Sequence, residues 1–183
     1  MKNLRLILPS LMLAALTASG CWLVSGQFTV SKNLPDPLTI GGVSSLVSAQ
    51  IDLTTESEYN DHKSDLKGLV DCALLGTFTN TLTSALSVEV WLTPALTNYT
   101  TETALNADNT RVKVWGAFNL AGSANKKIGW DESAKLFSKA GKAALLSEVK
   151  GDGKFTLYAK GATAPYAFRL DKGVAVVVID AGK

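Results

Sequence analysis

A single histidine, His62, among 183 residues closes off most of the chemistry that imidazole carries. A Ser-His-Asp arrangement would have to run through it, and no Gly-x-Ser-x-Gly elbow accompanies it. A zinc centre needs three or four convergent ligands. His62 has only Asp61 and Asp65 beside it, and the three read as a solvated helix face. No Gly-rich phosphate loop or zinc-protease motif is present. Asp131 and Glu132 are adjacent rather than facing, and Asp131 is accounted for as a helix cap. We therefore assign no catalytic residue, no metal and no soluble cofactor. Charge of one sign is also missing. The formal net charge is +2, and Lys2 and Arg5 supply that excess, so the remainder is close to neutral. Nucleic-acid binding rests on a surplus of Lys and Arg, and nucleic acid is not expected as a partner. After the N-terminal segment no apolar run reaches membrane-spanning length: Val174 to Ile179 is a buried strand in length and composition.

What the chain does have begins at its N-terminus. Lys2 and Arg5 give a short positive start, Leu6 to Leu16 an apolar run too short for a permanent span, and Ala18-Ser19-Gly20 a set of small residues directly before Cys21. This order resembles the bacterial lipoprotein signal, whose lipobox ends in Cys. The resemblance implies cleavage before Cys21, a diacylglyceryl thioether on its sulfur and usually an acylated amino group. Residues 1–20 are then a signal peptide and 21–183 a single lipid-anchored domain. Trp22 stands where Asp would mark inner-membrane retention in enteric-type sorting, so the resemblance implies the outer membrane, in either leaflet. Two or more acyl chains anchor stably where one is marginal. With Cys21 lipidated, Cys72 has no disulfide partner, although the envelope permits disulfides. In Val70-Asp71-Cys72-Ala73-Leu74 the thiol is in phase with Val70 and Leu74, on the inward face of a strand, where it acts as a small inert hydrophobe. Asn98-Tyr99-Thr100 fits a glycosylation sequon, which has no use in a bacterial envelope protein and is read as chance.

The mature chain is punctuated by short alternating segments. Trp22 to Ser31 places apolar residues at even positions, and Val47 to Leu53 alternates again. Leu34-Pro35-Asp36-Pro37 breaks the first of these. Thr55-Glu56-Ser57-Glu58 matches a capping box, and Tyr59, His62, Leu66 and Leu69 follow at helical spacing with Gly68 as a stop. Val70 to Phe78, Leu86 to Leu92, Val112 to Phe118 and Phe155 to Ala159 are further strands. Tyr166 to Leu170 and Val174 to Ile179 close the chain, joined by Asp171-Lys172-Gly173 as a hairpin turn. Asp131 to Glu148 is a second helix, bent or divided at Gly141. About eight short strands with two short helices in their connections indicate a mainly β chain, an antiparallel β-sandwich of immunoglobulin-like or jelly-roll-like topology.

Two features mark candidate binding surfaces. Trp91 and Trp115 lie out of phase with their inward-pointing neighbours, beside Glu89 and Lys113. Rings on the outer side of a sheet stack on sugars or anchor a protein, unless the helices lie over them. Lys135, Lys139 and Lys142 share a helix face and, with Lys126 and Lys127, either meet anionic head groups or are simply solvated. The charge along the chain is uneven: ten acids against two Lys over 36–108, twelve Lys or Arg against five acids over 111–172. These halves either neutralise each other or leave a basic face. Pro94 to Thr110, rich in Thr, Asn and Ala, is long for a connection and is a natural place for function. The expectation is a non-catalytic binding or scaffolding module, held to the membrane by its lipid, with an envelope protein or a polysaccharide as partner. The rival readings are a cell-wall carbohydrate binder using Trp91 and Trp115, and a hydrolase of unrecognised type in the Pro94 to Thr110 region.

Overall fold

The computed structural model describes residues 26–42 and 46–182. The signal segment, Cys21 and the start of the expected Trp22–Ser31 strand lie outside them. Among the described residues there are nine strands: β1 (Gly26–Asn33), β2 (Leu38–Gly42), β3 (Val47–Asp52), β4 (Leu66–Asn80), β5 (Leu86–Pro94), β6 (Val112–Leu120), β7 (Asn125–Ile128), β8 (Lys154–Gly161) and β9 (Tyr166–Ala181). They form two antiparallel sheets, one ordered β1-β9-β4-β7 with β2 also on β9, the other β3-β8-β5-β6. β1 and β2 lie end to end along one edge of β9, against Val174–Ala181 and Tyr166–Leu170 respectively, and so fill the place of one long strand. The pairing is nested. The first strand lies on the last, β3 on β8, β4 on β7 and β5 on β6, which is the jelly-roll arrangement rather than the immunoglobulin one.

The expected hairpin at Asp171-Lys172-Gly173 is not formed, and β9 runs straight through it. β4 pairs with both halves, Thr77 opposite Asp171 and Leu75 opposite Val174, with a bulge between them. The turn-like composition is consumed by that bulge: Lys172 takes φ 52°, and its amide donates to Asp36 Oδ1 at 3.0 Å. On β4 the bulge falls at Gly76, φ 148°, where a Cβ would stand 2.5 Å from Leu170 Cδ1; only glycine fits.

Four α-helices fill the connections: α1 (Ser57–His62), α2 (Glu102–Ala107), α3 (Trp130–Leu136) and α4 (Lys139–Lys150). α1 is shorter than its periodicity predicts. Thr55 is not its cap; the Thr55 hydroxyl donates to Asp52 O at 2.8 Å, within a 3-10 turn that Asp52 caps. Leu66 and Leu69 belong to β4, because the end of β9 pairs there, Leu66 with Ala181 and Leu69 with Ile179. Ladder bonds to a buried strand outweigh a weak helical stripe. The second helix divides at Phe137-Ser138, not at Gly141. Ser138 Oγ accepts from the Gly141 amide at 2.8 Å and caps α4, while Gly141 is buried against β6, where a Cβ would meet Val114 O at 2.5 Å.

Inward residues of both sheets make the core. Phe78 sits at its centre, with ring centroids 5.8 Å from Trp115, 5.2 Å from Phe118 and 6.4 Å from Phe168. Cys72 is buried as expected, and burial pushes its thiol up to about 12. Val70 is not: register shifts around Leu69 and Asp71 turn it outward, 43% exposed. Two apolar voids of about 30 Å³ each remain between the sheets, room for no more than a solvent-sized molecule.

Candidate functional site

The long polar connection after β5 folds back over the outer face of the four-stranded sheet and is used up there. Outward residues of β5 and β8 meet it in a chain of hydroxyls. Thr93 Oγ1 lies 2.6 Å from Thr97 Oγ1, which lies 2.8 Å from Tyr158 OH, and the Tyr99 amide donates to the same Tyr158 oxygen at 3.0 Å. Thr156 Oγ1 donates to Ala95 O and Thr97 O, both at 3.1 Å. Thr101 caps α2, which sets Glu102 over β8. Glu102 Oε2 accepts from Lys160 Nζ at 2.9 Å and Oε1 from Tyr166 OH at 2.6 Å. Burial opposes ionisation of Glu102, but the Tyr166 hydroxyl and the Lys160 ammonium outweigh it and hold the carboxyl below its usual range. Burial, then Glu102, push the Tyr166 hydroxyl up. Tyr158 is wholly buried and Lys160 is 8% exposed. The strand's polar face is thus better covered than an ordinary outer face, and its functional groups are occupied with each other.

Trp91 lies at the margin of this cover, half-buried on the outer face. The Arg111 guanidinium sits 5.6 Å over its ring, and its Nε1 donates to Glu89 Oε2 at 3.3 Å; Glu89 in turn pairs with Lys113 at 3.1 Å. Trp115 is elsewhere. Simple alternation puts it on the outer side, but β6 carries an extra residue near Gly116, so that Val88 faces Phe118 while Val90 faces Trp115. The bulge turns Trp115 inward, 1% exposed, with Nε1 donating to Ser133 O and Oγ, each at 3.1 Å. The two tryptophans do not share a surface, and Trp115 offers none.

The lysines separate as well. Lys142 turns toward β4 and pairs with Asp71 at 3.0 Å. Burial works against the Asp71 charge, but Lys142, the Cys72 amide and Trp130 Nε1 hold its carboxyl low. Lys126 pairs with Glu132 and lies 4.9 Å from the Phe118 ring centroid. Lys135 and Lys139 are exposed and make no ion pair among the described residues. His62 packs on Phe28, ring centroids 4.7 Å apart with the planes tilted by 31°. Among the described residues no three His, Cys, Asp or Glu side chains gather as a ligand set, and no helix is long and apolar enough to cross a membrane.

One cleft was not foreseen. It lies on the side of the sandwich where β1 ends near the free edge of β3, has a volume of about 220 Å³, and is lined by Asn33, Leu34, Pro35, Ser48 to Ile51 and Asn98. Gln50 Nε2 donates to Thr97 O at 3.2 Å and Leu96 O at 3.4 Å, and Ser48 Oγ to Asn98 Oδ1 at 3.4 Å. The lining comes from three separated segments, each polar residue commonplace in its own stretch. No local motif signals it.

These features define a class, a jelly-roll β-sandwich with one sheet face capped by its own connection. No protein-family model and no curated protein matches the chain. Among solved structures it is similar to the Desmodium yellow mottle tymovirus structure, at 13% identity over 88% of this chain and 89% of that one, TM-score 0.31. It is similar to the virus structure of Turnip Yellow Mosaic Virus at 11% identity, over 86% and 96%, TM-score 0.26. It also resembles part of dimeric latent PorU from Porphyromonas gingivalis, at 10% identity over 85% of this chain and 13% of that one, TM-score 0.33.

Proposed function

We propose that this protein is a lipid-anchored bacterial envelope protein, cleaved before Cys21, acylated on that residue, and acting at the outer membrane as a non-catalytic binding or scaffolding module. The observation that carries the reading is the sequence Ala18-Ser19-Gly20-Cys21 followed so soon by β1 at Gly26. Cys21 and Gly26 are five residue steps apart, at most about 18 Å when fully extended. An acylated Cys21 therefore holds one end of the sandwich, the rung Gly26–Ala181–Leu66, close against the bilayer. The partner surface then lies on the flanks or the far end, and the partner is an envelope protein or polysaccharide. The non-catalytic part of the reading is supported by the fate of the polar groups under the cover: Glu102 is bonded to Lys160 and Tyr166, and Tyr158 to Thr97 and the Tyr99 amide.

Mass spectrometry of the mature N-terminus tests the anchor. Wild-type protein is expected to begin at Cys21 with acyl mass on it, and Cys21→Ser to leave the chain uncleaved or release it from membranes. A native protein that begins at Met1, or that starts at Cys21 without lipid, overturns the reading.

A further inference from the structure

We infer that the cleft between the end of β1 and the edge of β3 binds one residue of a neutral saccharide. The inference rests on the binding-module reading for its purpose, but its chemistry is independent of the anchor. All the polar side chains in the lining are uncharged: Asn33, Ser48, Gln50 and Asn98. Several of their groups are unspent. The Asn33 side-chain amide has no hydrogen bond among the described residues. Gln50 uses its Nε2 on Leu96 O and Thr97 O, which leaves Oε1; Asn98 uses Oδ1 on Ser48, which leaves Nδ2. An ion entering this space would give up water with no countercharge to meet it. A hydroxyl both donates and accepts, and so matches a wall on which carbonyl oxygens and amide hydrogens alternate. Pro35 supplies exposed apolar surface for the C–H face of a ring, while Leu34, Ala49 and Ile51 are nearly buried beside it.

Size narrows the ligand further. The cleft falls below the ~300–1,000 Å³ of pockets for drug-sized molecules, so it takes one ring, the end or a single unit of a glycan. Among the described residues β3 is an edge strand paired only with β8, and an edge strand is where an extended peptide can add. Here Ser48 and Gln50 are bonded to Leu96–Asn98, so the side chains along that strand are committed to the cleft wall, and the peptide is kept as a contrasting probe. With no aromatic ring in the lining, affinity for a lone sugar is expected in the millimolar range.

The test follows the side-chain amide NMR signals of the full-length protein in detergent during titration with glucose, galactose and N-acetylglucosamine. Glucuronate and an extended Thr-Val hexapeptide are the contrasting probes. A neutral sugar is expected to give saturable shifts at Asn33, Gln50 and Asn98. The paired substitution Asn33→Ala with Asn98→Ala, on exposed side chains, is expected to weaken that binding about tenfold or more, and Trp91→Phe to leave it unchanged. No saturable shift with any neutral sugar up to its solubility limit overturns the inference. So does glucuronate binding as tightly, or the hexapeptide alone moving these signals. Acyl mass at Cys21, read on the same sample, reports separately on the anchor.

Discussion

The two open flanks of the sandwich are treated in opposite ways. On one, β7 pairs with β4 only from Gly76 to Thr79, leaving the Leu66 to Leu75 edge of β4 across from the edge of β6. Helices α3 and α4 close this gap with substitutes for a strand. Ser133 Oγ accepts from the Leu74 amide at 2.7 Å and donates to Leu74 O at 2.8 Å, Ser138 donates its amide to Val114 O at 3.1 Å, and Trp115 fills the space beneath. On the other flank, among the described residues, no helix bonds to the backbone of both strand edges: Lys32 of β1 reaches Glu56 at 2.7 Å and His62 of α1 packs on Phe28, and beyond them neutral amides face a cleft. Unpaired edges invite association and are normally covered. A flank sealed with buried groups serves stability, whereas one left lined with unspent polar groups is available for recognition. The comparison breaks if the sealed flank proves dispensable. Trp115→Ala is expected to destabilise by about 3–5 kcal/mol, in the range for large buried aromatics, and Asn33→Ala by less than about 0.5 kcal/mol, both by urea denaturation.

Much of this was legible in residue order, and the misses have physical causes. Alternation found β3, β5, β6 and β8 because each has one face on a core and one off it, and it placed Cys72 correctly for the same reason. It failed wherever a bulge shifted the phase: at Trp115, where β6 gains a residue; at Val70, where β4 slips; and at Lys172, where turn chemistry was spent inside a strand. β2 and β7 were missed because each is short and takes its existence from the strand it pairs with, β9 and β4. Helical spacing through Leu66 and Leu69 was real but lost to ladder pairing with the end of β9. Lys142 and Lys139 sit three apart on one helix, yet only the fold decides that the first meets Asp71 and the second meets water. The cleft was out of reach because Asn33, Gln50 and Asn98 are distant in sequence and carry no motif.

The cover over the four-stranded sheet gives a second way to sharpen the contrast between sealed and open surface. The Glu102 carboxyl is held below its ordinary value of 4.5: burial raises it, but Tyr166 and Lys160 lower it by more. The charged form is thus favoured by folding. Its contribution is fully present above the unfolded value and is lost as pH falls through the depressed folded value. Glu102→Gln is expected to cost about 1.5–3 kcal/mol near neutral pH, the range for a hydrogen bond to a charged group. The gap between wild type and variant should narrow as the pH drops below 4.5. Denaturation curves across that range check it. A gap that stays constant with pH would mean that Glu102 carries no linked charge and that the cover is held by its hydroxyl chain alone.

The smallest effect separates the lysines. Lys142 and Asp71 are each about a third exposed, at 35% and 30%, so solvent screens the pair heavily, and such partly exposed pairs contribute about 0.2–1 kcal/mol. Asp71 also accepts from Trp130 at the foot of α3, which ties the pair to the sealed flank and puts Lys142→Ala toward the upper end of that range. Lys135→Ala and Lys139→Ala remove charges that meet no acid among the described residues, and each is expected to change stability by less than about 0.5 kcal/mol. The salt response distinguishes them further: raising ionic strength should erode the Lys142 contribution, because screening acts on paired charge, and leave the other two substitutions without effect. Equal losses at all three positions, measured by denaturant titration at low and high salt, would show that α3 and α4 are held by apolar packing alone, and that Asp71 belongs to the solvated surface rather than to the seal.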